Sequence, residues 1–206
     1  AGLERESKTL RTLFLPLKKS SFDKKFVERI LRGEIILPKG AERWTLIPNW
    51  KKLGRTYNGA VETLFDDGIM DVYDAFYNSH ATSDREADWL SPKLMLGPNR
   101  LRQHERTVMM WKKLRDQQPK HDLLVVPVQF GLLHRGQSVR RARKLFHENE
   151  FGLCPFHVGT MLLTHDNRFQ HADDLWIDCP GGEYDDVDVD ARFACAPCYS
   201  FVRGYK

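Results

Sequence analysis

Residues 122–151 read DLLVVPVQFGLLHRGQSVRRARKLFHENEF, and this stretch decides the fold. Leu123 to Val128 form an apolar run rich in valine, which predicts a buried strand. Gly131 and Gly136 bracket a loop carrying His134 and Arg135. Ser138 has the side chain of a helix N-cap, and Gly152 stands where the following helix is expected to stop. Strand, glycine loop and capped helix in that order make a place suited to an anion, because free backbone N–H groups gather at a helix start.

Working outward, Leu101, His104, Val108 and Trp111 share one stripe of a helix predicted over 100–116, which Pro119 ends. After the central helix, Val158 to Leu163 fit a helix or a strand equally. Asp174 to Cys179 alternate, with Leu175, Ile177 and Cys179 on one face, and predict a strand. Pro180-Gly181-Gly182 is a turn, and 192–202 read as a last strand interrupted at Pro197.

Toward the N-terminus, Ser21 is the expected cap of a helix over 22–32. Ile35 to Leu37 read as a short strand, and 44–50 as extended or looped. Helices are expected over 56–66 and 71–77, then a long loop over 78–98, where any internal boundary lies. Residues 1–20 are a basic arm with one apolar side, broken at Pro16. The order predicts an α+β (or α/β) fold: one mixed domain over 21–206, with a small central sheet flanked by helices and the basic N-terminal arm.

A chain of 206 residues with 41% hydrophobic and 29% charged residues can bury a core without disulfides. No apolar run approaches the ~20 residues that span a bilayer, so no membrane is expected. Residues 1–19 lack the apolar core of a secretory signal, and four cysteines make no disulfide scaffold. The expectation is a cytoplasmic protein with reduced thiols.

The net charge is only +4, but it is unevenly spread. Arg100 to Lys144 hold twelve Lys or Arg against three acids, a net +9, whereas His165 to Asp190 carry a net −8. On the central helix, Arg140, Arg143, Lys144 and His147 fall on the outer face, with Arg141 to one side. Together with Arg135 they suit phosphate oxygens, and the leading reading is nucleic-acid binding, or another phosphorylated or acidic partner. The bland alternative is a solvated face whose arginines pair with the acidic block. Neither a Walker loop nor a dinucleotide fingerprint is present.

Cys154-Pro155-Phe156-His157 and Cys195-Ala196-Pro197-Cys198 are spaced as two halves of a zinc site, with Cys179 to spare. The alternative is that these are small buried side chains. Two further function classes stay open. One is a metal-dependent hydrolase or nuclease using Asp174, Asp178, Glu183 and His165. The other is an assembly subunit with no ligand, self-associating through the arm and the 78–98 loop.

Overall fold

The computed structural model describes residues 2–14, 17–49, 101–165, 177–184 and 198–199. In chain order their elements are α1 (Gly2–Leu13), α2 (Lys24–Leu31), β1 (Arg43–Pro48), β2 (Leu101–Gln103), α3 (Glu105–Gln117), β3 (Leu123–Val128), α4 (Val139–Leu145), α5 (Pro155–Thr164), β4 (Ile177–Asp178), β5 (Gly182–Tyr184) and β6 (Cys198–Tyr199). Helices and short antiparallel pairs make a mixed α+β fold. The helices expected over 56–66 and 71–77, and the loop over 78–98, lie outside the described residues.

The apolar run does form the central strand. β3 pairs antiparallel with β1, from Arg43 opposite Val128 to Pro48 opposite Leu123. Its side chains alternate between two cores, as strand geometry requires. Leu123 and Val125 join Leu46, Leu10, Phe14, Leu17, Phe22, Phe156 and Leu162 on one face. Leu124, Val126 and Val128 join Ile47, Trp111 and Met161 on the other. Burial on both faces explains why this strand is continuously apolar rather than alternating.

The open edge of β3 is closed by other groups. Ser21 O accepts from Asp122 N at 3.2 Å and Leu123 N at 3.1 Å. Further along, the buried Gln118 amide donates to Val125 O and accepts from Val125 N, both at 2.9 Å. A side chain thus stands in for a third strand.

Several expectations shift. Residues 2–13 form α1, which packs on β1 and α5 and buries Glu6, Ser7 and Leu10. The predicted arm is therefore docked on the body. α2 starts at Lys24, where Asp23 Oδ1 accepts from Phe26 N at 3.0 Å. Ser21 is not its cap, because its carbonyl is taken by β3. Ile35 to Leu37 form no strand, and Ile36 is 80% exposed. α3 begins only at Glu105, because Leu101–Gln103 pair with β5 instead. The ambiguous 158–163 segment lies inside α5. α4 ends at Leu145, before Gly152. Gly152 is needed for another reason: it crosses Gly181 at a distance that leaves no room for a Cβ.

Candidate functional site

The predicted phosphate loop is built as follows. Gly131 and Gly136 both take positive φ, at 92° and 76°. Gln129 Oε1 accepts from Gly131 N at 2.8 Å, and Gln137 N donates to His134 O at 3.1 Å. His134 Nε2 lies 2.6 Å from Glu150 Oε1, which anchors the loop to the chain after α4. Ser138 Oγ accepts from Arg141 N at 3.3 Å, the expected cap. α4 then buries Ala142 and turns most of its basic side chains outward.

The five basic residues singled out from sequence divide. Arg135, Arg140, Arg141 and Lys144 are exposed. None of the four forms an ion pair or a side-chain hydrogen bond with a described residue. Arg143 is different. Its Nε donates to Pro180 O at 2.8 Å, one terminal nitrogen to Glu183 Oε1 at 2.8 Å and the other to Gly182 O at 2.9 Å. Burial pulls its pKa below the usual guanidinium value, while the Glu183 carboxylate opposes that shift. Arg143 is a structural bolt between α4 and the 180–183 turn, so it does not belong with the outward cations. Its pair with Glu183 is also a direct contact between the basic and acidic blocks. Arg106 is likewise committed, donating to His147 O and to Glu148 O.

The second constellation is buried. Cys154 occupies the N-cap of α5, Pro155 follows in its first turn, and His157 lies three residues on. Cys154 Sγ and His157 Nδ1 are 2.8 Å apart, and both residues are 0% exposed. The imidazole lies against the Trp111 ring, centroids 4.3 Å apart, with the edge of Phe156 beside it at 5.3 Å. Burial pushes the thiol up to about 12. Burial, reinforced by the nearby Arg115 charge, pulls the imidazole down to about 3. Without a bound ion, both groups are therefore neutral at pH 7. A protonated thiol with no solvent access is not a nucleophile. A neutral thiol–imidazole pair can still act as ligands if a metal displaces the thiol proton.

Of the other expected zinc pair, only the backbone of Cys198 falls among the described residues. Cys195 lies outside the described residues. The backbone of Cys198 belongs to β6 and pairs with Asp178. Cys179 is buried in the same core as Cys154. Among the described residues, no three His, Cys, Asp or Glu side chains gather as a metal would need.

The described acidic residues have other neighbours. Glu183 binds Arg143, and Asp178 is exposed on β4. Asp174 lies outside the described residues. His165 faces away toward a polar cluster that sequence reasoning missed. There Glu6, 1% exposed, takes the Thr45 hydroxyl at 2.7 Å and Leu46 N at 2.9 Å. His165 Nε2 and an Arg43 terminal nitrogen each lie 3.4 Å from its other oxygen. Nothing in the spacing of residues 6, 43 and 165 could have revealed this. It depends on α1, β1 and α5 meeting in the fold.

No described helix is long and apolar enough to cross a membrane. No family model, curated protein or solved structure matches this chain.

Proposed function

We propose that this chain binds nucleic acid through backbone phosphates, using Arg135, Arg140, Arg141 and Lys144. One observation carries the reading: these four side chains project from a single loop and helix, exposed and without a charged partner among the described residues. An unpaired guanidinium presents paired N–H donors that match phosphate oxygens. The surrounding segment carries +9, enough to draw a polyanion. Arg143 takes no direct part, since it fixes α4 against the 180–183 turn and thereby sets the direction of its neighbours.

The test is a salt titration with labelled mixed-sequence single-stranded and double-stranded oligonucleotides. Four phosphate contacts give a slope of log Kobs against log salt of about −3 to −4. Replacing all four residues with Ala should abolish most of that slope and weaken binding to either nucleic acid. Binding that survives the fourfold change, or that ignores ionic strength, refutes the reading.

A further inference from the structure

We propose that the nucleic acid this surface takes is double-stranded DNA, and that Leu132 enters it as a wedge between two base pairs. The inference rests on the phosphate-binding reading above and names the class of nucleic acid bound.

Leu132 follows Gly131 in the 129–137 loop and is 61% exposed. The loop that carries it is held in place. Gln129 Oε1 accepts from Gly131 N at 2.8 Å and from Leu133 N at 3.4 Å, one on each side of Leu132. His134 is tied to Glu150 two residues further on. Leu133 is the less exposed of the two leucines, at 48%, because it lies over Gly40: a Cβ there would sit 3.1 Å from Leu133 Cδ2. One leucine thus seats the loop and the other is left in water. A wedge fixed before binding loses little freedom on entering its partner.

The charges around Leu132 favour a polyanion. Arg135 follows in the same loop, and Arg140, Arg141 and Lys144 stand exposed on α4. The carboxylates beside the loop are engaged by it. Glu42 Oε1 accepts from Phe130 N at 2.7 Å, and Glu150 takes His134 and His147 N. An aliphatic side chain set among cations matches a duplex, whose phosphates flank an apolar stack of bases. Proteins that bend DNA insert leucine and similar side chains at base steps in this way.

Two other anionic partners fit less well. Single strands are gripped by aromatic rings on which unpaired bases stack. Among the described residues, none of the exposed large hydrophobic side chains is aromatic. A bilayer surface needs an extended apolar face or a lipid chain for firm attachment, and one leucine supplies too little. Opening a base step takes only one side chain.

The experiment uses the full chain and a short DNA duplex whose TA steps, the easiest to unstack, carry a fluorescent adenine analogue. The expected result is tighter binding to the duplex than to either separated strand at equal salt. The analogue should brighten on saturation, as an unstacked base does. Leu132→Ala should remove the brightening and weaken duplex binding about tenfold, the worth of a buried leucine side chain over alanine, while the salt slope persists. Leu132→Phe, a side chain that also wedges, should keep both signals. Brightening that survives Leu132→Ala, or single strands bound as tightly as the duplex, overturns the wedge and leaves the phosphate reading standing if binding still weakens with salt. Binding that is absent or indifferent to salt overturns both. Attachment to phosphatidylserine vesicles that Leu132→Ala abolishes, with no brightening of the duplex, overturns the wedge in favour of a bilayer.

Discussion

Gly152 and Gly181 cross backbone to backbone. A Cβ on Gly152 would lie 2.6 Å from both Gly181 N and Pro180 C, and one on Gly181 would lie 2.6 Å from Leu153 C. The neighbours in each case are main-chain atoms, which cannot swing aside as a side-chain tip can. The crossing also aims Pro180 O and Gly182 O at Arg143 and lets Gly181 N reach Leu153 O. Gly181→Ala should therefore destabilise the protein by about 1–3 kcal/mol or more, the usual cost of overpacking. Urea denaturation followed by tryptophan fluorescence reads this directly, and an unchanged midpoint would mean that the two segments separate easily.

Arg143 and its neighbours give a second, contrasting expectation. Its three bonds leave Glu183, Pro180 O and Gly182 O without their partner when the side chain is cut back. Hydrogen bonds to charged groups contribute about 1.5–3 kcal/mol each at most, and they share one side chain here, so Arg143→Ala should cost about 2–4 kcal/mol. Arg143→Lys should rescue little, because one ammonium cannot reproduce a planar fork. Arg140→Ala, Arg141→Ala and Lys144→Ala should each stay within about 0.5 kcal/mol of the parent. Thermal melts of the five variants separate the two classes, and equal losses across them would remove the distinction.

How far the sequence foretold this arrangement depends on whether the controlling interaction is local. The β3 strand and the Ser138 cap follow from neighbours within a few residues, and both appear where the pattern puts them. The outward set on α4 follows from helical periodicity, with Arg143 the exception. Its fate rests on Glu183, forty residues later, which no periodicity announces. Glu6 is similar: an acid in a basic amphipathic segment reads as solvated until β1 supplies Thr45 and Leu46 as donors. The Cys154–His157 contact was visible because three residues make one helical turn. The pairing of the Cys198 backbone with Asp178 joins residues twenty apart in the chain, and spacing alone cannot give it.

Gln118 yields a third prediction. Its amide makes two bonds with Val125 inside the core, and the residue is 0% exposed. Gln118→Ala would leave both the N–H and the C=O of Val125 buried without that partner. Each orphaned group costs about 1–3 kcal/mol, so a loss of about 2–5 kcal/mol is expected. Gln118→Glu keeps the acceptor for Val125 N but sets an oxygen against Val125 O, and it should be no better at neutral pH. Amide hydrogen exchange at Val125 offers the specific readout. Protection there should collapse in Gln118→Ala before protection in α2 does, and uniform behaviour would argue that β3 needs no such cover.

Glu6 supplies the pH dependence. Burial alone would raise its pKa, but hydrogen bonds from His165, Thr45 and Leu46 N outweigh it and hold the carboxyl below its ordinary 4.5. A carboxylate depressed on folding stabilises the native state above the unfolded pKa. That contribution fades as pH falls from about 4.5 through the lower folded value. Glu6→Gln removes the charge facing Arg43 and His165 at all pH values. Breaking one side of a buried pair costs about 3–5 kcal/mol, and partly exposed Arg43 places this case toward the lower end. The gap between parent and Glu6→Gln should be widest above pH 5 and should narrow in acid, where the parent carboxyl itself takes up a proton. Urea midpoints of both proteins across that range decide the matter: a gap that stays constant with pH would mean that the charge on Glu6 does not hold α1 to β1 and α5.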